Sequence, residues 1–280
     1  MTLGFACRVG CGKVASDFMK LQNNQLFRSI FPRLLLSMIL IGFGLVRCAS
    51  KEVGSDSPDA LFAVADEEFK DEHYLSAMEK FRDIKNRFPY SSRAVEAELR
   101  IADTHFAQEN FIEAESSYEV FRELHPTHPK SDYVQYQIGM SNFHQIPANA
   151  ARDLTAAQKT IDAFDVLVEK FKSSTYVEKA KENRALARSR LAEHESYVAD
   201  FYFQKQHYLS ASYRYAALLN DFAQMGYDEM ALYRLGKCYA EIRMFAKSRD
   251  ILGKLVKEFP ASEYKVSAEQ LLAELQQLKD

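Results

Sequence analysis

The sequence predicts an all-α protein, a solenoid of five stacked helical hairpins. Two observations predict it. Breakers are scarce, with 10 Gly and 7 Pro among 280 residues and 47% hydrophobic content. That is too few turn residues for a many-stranded β protein and suits a helical one. One phrase also recurs with variation: "FPYSSRAVEAEL" at 88–99, "HPTHPKSDYVQYQI" at 125–138, "FKSSTYVEKAKENRAL" at 171–186 and "FPASEYKVSAEQLL" at 259–272. A phrase repeated along a chain marks a unit that is copied and stacked.

The unit has a fixed internal spacing. A small residue is followed after 12 positions by another small one, after 4 more by a large apolar one, and after 8 more by proline. The first unit reads Ala65, Ala77, Phe81, Pro89; the second Ala102, Ala114, Tyr118, Pro126; the last Gly236, Ser248, Leu252, Pro260. The fourth, Ala199, Ala211, Tyr215, Ala223, lacks the proline. The middle unit, Gly139, Thr160, Phe164, Lys172, carries nine extra residues in its turn region. The small residues let two backbones approach closely, the large one fills the space toward the next unit, and proline ends the second helix.

This spacing resembles the tetratricopeptide repeat, a helix–turn–helix of about 34 residues. The resemblance implies a right-handed solenoid of five tetratricopeptide repeats over residues 59–280. One hairpin cannot bury its apolar stripe alone, so the units stack. The pattern predicts helices over 59–70, 74–87, 92–107, 111–124, 130–144, 155–171, 176–205, 208–222, 226–241 and 245–258. A closing helix over 262–278 covers the last apolar face. Residues 176–205 contain no Gly or Pro and read as one long helix.

Residues 1–48 read as a signal segment of the lipoprotein type. Lys20, Arg28 and Arg33 precede an uncharged apolar run from Leu34 to Val46, followed by Arg47 and Cys48. A basic flank and a short apolar run form a secretory pattern, too short for an ordinary transmembrane helix. "LVRC" resembles a lipobox at Leu45 and Cys48, which makes Cys48 the lipidation candidate. Arg47 stands where that pattern has a small residue, and an uncleaved signal anchor is the other reading. Met19 is the more ordinary start. Residues 49–58, "ASKEVGSDSP", form a linker.

Without residues 1–48 the chain holds 30 basic and 38 acidic residues, a net charge of −8. An acidic domain lacks the basic footprint of nucleic-acid binding. Past Cys48 the one cysteine is Cys238, so no internal disulfide is expected there.

The sequence carries no GxSxG, HExxH, Walker loop or CxxC. It predicts no enzyme activity, no cofactor and no metal. His125 and His128 flank Pro126 in a turn read as solvated, and His105 reads as packed on its helix. Phe69, Phe106 and Phe143 recur every 37 residues, each four past the small residue of its first helix. Phe62 and Tyr136 lie seven residues earlier in two of those helices. Two readings follow. These five rings form an apolar groove for an extended, aromatic-containing peptide, with Asp66 and Asp103 as acidic companions, or they are core residues of a tightly wound solenoid.

The middle insertion "ANAARDLTAAQKTIDAFDVLVEKFKSSTY" and the following "RSRLAEHESYVADFYFQKQHYLSASYRYAALLNDF" are similar to the BamD family. Those are lipoproteins of the outer-membrane β-barrel assembly machinery. Arg152 to Thr155, Arg190 to Ala192 and Tyr197 to Tyr202 carry the likeness most specifically. The resemblance implies a periplasmic scaffold lipid-anchored to the outer membrane, a sorting that Ala49 after Cys48 fits. Implied partners are a BamA-type barrel subunit through its periplasmic domain, other assembly lipoproteins, and unfolded outer-membrane proteins. It also implies that later repeats dock the barrel subunit. Arg214 is the contact candidate there, because Tyr215 is the packing aromatic and the residue before it points toward the rim. The alternatives for Arg214 are an internal pair with Asp221 or Glu229, or a solvated charge. The alternative family is the CpoB-type periplasmic repeat protein that coordinates envelope constriction. It carries an N-terminal coiled coil, for which residues 49–58 are too short. A cell-wall enzyme on a repeat scaffold needs a catalytic domain, for which the repeats leave no room.

Overall fold

The structure is a computed structural model that describes residues 56–278. The signal segment with Cys48, and linker residues 49–55, lie outside the described residues. The described residues form eleven helices and no strand. They are α1 (Pro58–Lys70), α2 (Tyr74–Arg87), α3 (Ser92–Ala107), α4 (Phe111–Leu124), α5 (Ser131–His144), α6 (Thr155–Lys170), α7 (Val177–Gln204), α8 (Tyr208–Asp221), α9 (Asp228–Glu241), α10 (Phe245–Glu258) and α11 (Lys265–Leu275). Among the described residues no helix is long and apolar enough to cross a membrane.

Each helix packs on the next in sequence, and first helices also touch across repeat boundaries: α1 on α3, α5 on α7, α7 on α9, α9 on α11. This is a stack of five tetratricopeptide hairpins closed by α11. The predicted spacing residues sit at its centre. Ala65, Ala77, Ala102, Ala114, Thr160, Ala199, Ala211 and Ser248 are fully buried, as are the wedges Phe81, Tyr118, Phe164, Tyr215 and Leu252. The approach is closest at the two glycines. A Cβ on Gly139 would lie 2.4 Å from the Phe164 ring, and one on Gly236 would lie 2.6 Å from Leu252.

The recurring phrase is the turn between repeats. The Phe88, Phe171 and Phe259 carbonyls accept the N–H groups of Ser91 (2.9 Å), Ser174 (2.9 Å) and Ser262 (3.0 Å). Each serine hydroxyl then accepts the N–H two residues on, from Arg93, Tyr176 and Tyr264, at 3.2 Å in every case. The serine thus satisfies a donor orphaned at the helix start. Because Ser262–Tyr264 belong to this turn, α11 begins at Lys265, three residues later than the pattern predicts.

The turn inside each hairpin uses no glycine. Glu72, Glu109, Gln206 and Arg243 sit at φ near +60°. The residue after each donates back across six residues, as His73 does to Glu68 at 2.8 Å and His207 to Tyr202 at 2.9 Å. This is a Schellman end, which normally places glycine at the left-handed position. An L residue there costs about 1–2 kcal/mol.

The middle repeat departs through residues 145–154, between α5 and α6. Gln145 Nε2 donates to Glu115 Oε2 at 3.1 Å, and Lys159 Nζ pairs with Glu115 Oε1 at 3.0 Å. Burial alone would raise the Glu115 carboxyl; Lys159, Gln145 and Asn142 outweigh it and hold it below the usual range. Near the end of the loop, His194 Nδ1 donates to the Ala150 carbonyl at 2.5 Å. One carboxylate and one imidazole therefore pin the insertion to its neighbours α4 and α7.

The close approach makes opposite forecasts for one substitution. Gly139→Ala should lower the melting temperature, because the Cβ drives into the closed Phe164 ring at a cost of about 1–3 kcal/mol. Gly253→Ala in α10 meets nothing within 4 Å and should raise stability by up to about 1 kcal/mol through helix propensity. Thermal unfolding followed by circular dichroism checks both signs.

Candidate protein-binding surfaces

A charged and aromatic ladder joins the first helices α1 to α3 and α7 to α9. An aspartate and a phenylalanine three residues apart meet an arginine of the next first helix. Arg93 pairs with Asp59 at 2.7 Å and lies 5.1 Å over the Phe62 ring. Arg100 pairs with Asp66 at 2.6 Å and lies 5.1 Å over Phe69. Arg234 pairs with Asp200 and lies 5.7 Å over Phe203. The arginines sit 34 residues beyond their aspartates, one full repeat. Each guanidinium covers a ring face and neutralises a carboxylate, in a half-buried setting at Asp66 and Asp200 and an open one at Asp59.

Asp103 takes a different set of partners. It is buried and accepts Tyr118 and Tyr133 hydroxyls at 2.7 and 2.8 Å, with Arg100 at 3.3 Å. Burial first, and the neighbouring Asp103 charge second, push both phenols well above their usual range, so they remain donors. Asp103 lines a cleft of about 400 Å³ with Arg100, Lys130, Asp132, Tyr133 and Tyr176.

The five predicted rings do not share one environment. Phe62 and Phe69 are half-buried under Arg93 and Arg100. Phe69 and Phe106 also pack edge-on against the first aromatic of their own second helix, Tyr74 at 5.7 Å and Phe111 at 5.3 Å. Tyr136 belongs to the core: it is 7% exposed, stacks on Tyr176 at 4.8 Å and faces Phe164 at 5.9 Å. Phe143 opens onto a cleft of about 540 Å³, with Ile146, Pro147, Leu186, Arg190 and Glu193. Phe203 occupies the same phase, four past Ala199, and packs edge-on with Tyr208 at 5.8 Å. The 37-residue period missed it because the insertion and the long α7 together set Ala199 60 residues after Gly139; the distance from the small residue finds it.

Exposed apolar side chains occur along the stack, Tyr90 and Leu75 among them, and one group lies on α7 and α8. Leu186, Tyr197 and Phe201 on α7, and Leu209 and Tyr213 on α8, are each about half exposed or more, Tyr213 at 69%. Arg214 stands beside Tyr213 and is exposed. Its Nη1 donates to both carboxylate oxygens of Glu195, at 3.2 and 3.1 Å. Its internal partner is thus on α7, not Asp221 or Glu229. His125 and His128 are half-buried, with rings 4.8 and 5.1 Å from Phe121, and His125 meets Glu98 at 2.7 Å. They pack where a solvated turn was expected. Among the described residues no group of side chains could hold a metal ion.

Residues 55–251, nearly the whole stack, match the family described as YfiO, Outer membrane lipoprotein. The chain belongs to this family. An "Outer membrane protein assembly factor BamD" of Neisseria gonorrhoeae is 26% identical, over 82% of this chain and 92% of that protein. One of Caulobacter vibrioides is 22% identical, over 86% and 81%. The TPR2AB-domain complex of yeast Sti1 with pHSP90 aligns over 78% of this chain and 84% of that one, at 14% identity and a TM-score of 0.40. The YfiO match takes in the insertion, α7 and α8, where the exposed rings lie.

Tyr136→Ala should cost about 3–5 kcal/mol, the usual loss for a buried aromatic, and Phe106→Ala a smaller part of that. Phe143→Ala should change stability by less than about 1 kcal/mol. Melting temperatures of the three variants test the division between core and surface; a large loss for Phe143→Ala would move that ring into the core.

Proposed function

We propose that this chain is a periplasmic, lipid-anchored scaffold of outer-membrane β-barrel assembly, without enzymatic activity. It docks a barrel-forming subunit through later repeats and receives unfolded outer-membrane proteins on its first-helix face. The observation that carries this reading is membership of an outer membrane lipoprotein family whose full-length relatives are named assembly factors. A solenoid of half-buried ladders and exposed rings supports it, since such stacks offer extended binding surfaces.

The anchor is lipid on Cys48. Each buried acyl methylene contributes about 0.8 kcal/mol, so two or three chains hold firmly. Labelled palmitate should enter the wild type and not Cys48→Ser. Absence of label from the wild type removes the anchor from the proposal.

The client face comprises Phe62, Phe69, Phe106 and Phe143, with Tyr136 supporting it from the core. The docking face includes Arg214. Tyrosine and arginine are both enriched in binding hot spots, and Tyr213, next to Arg214, is 69% exposed. The Arg214–Glu195 pair is half open at the guanidinium and mostly covered at the carboxylate, and a pair at the surface contributes about 1 kcal/mol to the fold. Its fork is therefore available for exchange with a partner carboxylate. Arg214→Glu should leave the melting temperature within a few degrees and abolish co-purification of the barrel subunit from solubilised envelope. Charge reversal on the partner should restore it. Wild-type recovery of the barrel subunit in moderate salt would exclude Arg214 as the contact.

A further inference from the structure

We infer that the cleft beside Phe143 seats one aromatic side chain of an extended, unfolded polypeptide segment. The inference rests on the client-binding reading above and specifies where, and through which side chain, a segment is held. The fold supplies the template for the occupant. In repeats one, two and four, an aromatic at the start of the second helix packs edge-on against the phenylalanine near the end of the first. These pairs are Phe69–Tyr74 at 5.7 Å, Phe106–Phe111 at 5.3 Å and Phe203–Tyr208 at 5.8 Å. Tyr74 lies three residues before Ala77, and the residue three before Thr160 is Ala157.

Repeat three therefore has the phenylalanine without its ring partner. Ala157 is buried in a cluster with Leu154, Ile161 and Ala187. The ring neighbour of Phe143 among the described residues is His144, at 6.0 Å. The open side of Phe143 is the cleft of about 540 Å³, within the roughly 300–1,000 Å³ range of clefts that hold ligand-sized groups. The cleft is lined from the 145–154 loop and α7 and not by Ala157; a phenylalanine that takes an aromatic edge in three other repeats is here open on that side, so an aromatic edge is what the cleft fits.

The surroundings favour an extended carrier. Ser189, Arg190 and Glu193 line the cleft and offer donors and acceptors to a main chain that must satisfy both. From the cleft, Ser189, Glu193, Tyr197 and Phe201 form a ridge with four-residue steps along α7. Such steps advance about 6.0 Å, close to the roughly 6.6–6.8 Å between same-side residues of a strand. A segment with alternate apolar residues sets one ring beside Phe143 and the next ones over Tyr197 and Phe201. Barrel strands alternate in this way.

The chain contains no tryptophan, so a tryptophan in a probe peptide reports its own surroundings. The probes are a ten-residue peptide of alternating apolar and polar residues with one tryptophan, and its twin with alanine instead. Each is titrated onto the full chain, onto Phe143→Ala, and onto Ala148→Tyr, which brings a ring of this chain to the cleft. Ala148 is exposed in the 145–154 loop, and far-ultraviolet circular dichroism verifies the fold of both variants. The wild type should bind the tryptophan peptide with a blue-shifted emission. The twin peptide, and either variant, should bind about tenfold or more weakly. Equal affinity and equal blue shift across all three proteins overturn the cleft assignment. So does binding of the peptide as a helix. Capture of a denatured barrel protein separates the two readings. If the wild type and both variants capture it equally, client binding stands and the cleft assignment falls. If the wild type captures neither peptide nor denatured barrel protein, client binding falls and takes the cleft with it.

Discussion

The structure depends on one close approach, repeated five times. In each hairpin the two helices cross where both carry a small side chain, and the wedge of the second helix fills the gap that remains. At Gly139 and Gly236 the approach leaves no room even for a methyl group. Interiors packed this densely transmit a change at one contact to its neighbours. Thus the spacing from small to small to large fixes helix phase, and helix phase fixes which residues the next repeat meets.

Between repeats the contact is partly polar. Asp59, Asp66 and Asp200 each hold an arginine one repeat on, and the same arginine covers a phenylalanine. The middle repeat breaks this ladder, with Met140 where repeats one, two and four have Asp66, Asp103 and Asp200. There the stack is joined by Glu115, Lys159 and Gln145 instead. The insertion and the 28 residues of α7 give this part of the molecule both its open cleft and its exposed rings. The cleft and the exposed rings thus lie where the insertion of the middle repeat meets the first helix of the fourth, as expected when a stack tolerates insertions on one side.

The fold was legible because its determinants lie close in sequence. Two small residues twelve apart and a wedge four later can be read off any one unit, and scarcity of Gly and Pro excludes the alternatives. The long α7 followed from an uninterrupted run. The hairpin turns were placed by phase alone, since Glu72, Glu109, Gln206 and Arg243 carry none of the glycine that usually marks a left-handed end. Solenoid packing on both flanks holds them in a conformation their own side chains disfavour.

The candidate surface was less legible, for a physical reason. By itself the sequence determined the repeat, its phase, the buried wedges and the positions of the recurring phenylalanines. Whether an aromatic ring is open depends on the residue opposite it, which is 31 positions away for Phe69 under Arg100, in the turn before α7 for Tyr136 against Tyr176, and changed by an insertion for Phe143. Those pairings arise only when the hairpins stack. The tertiary structure therefore decided that Tyr136 is core, that Phe62 and Phe69 lie beneath guanidinium groups, and that Phe143 faces a cleft.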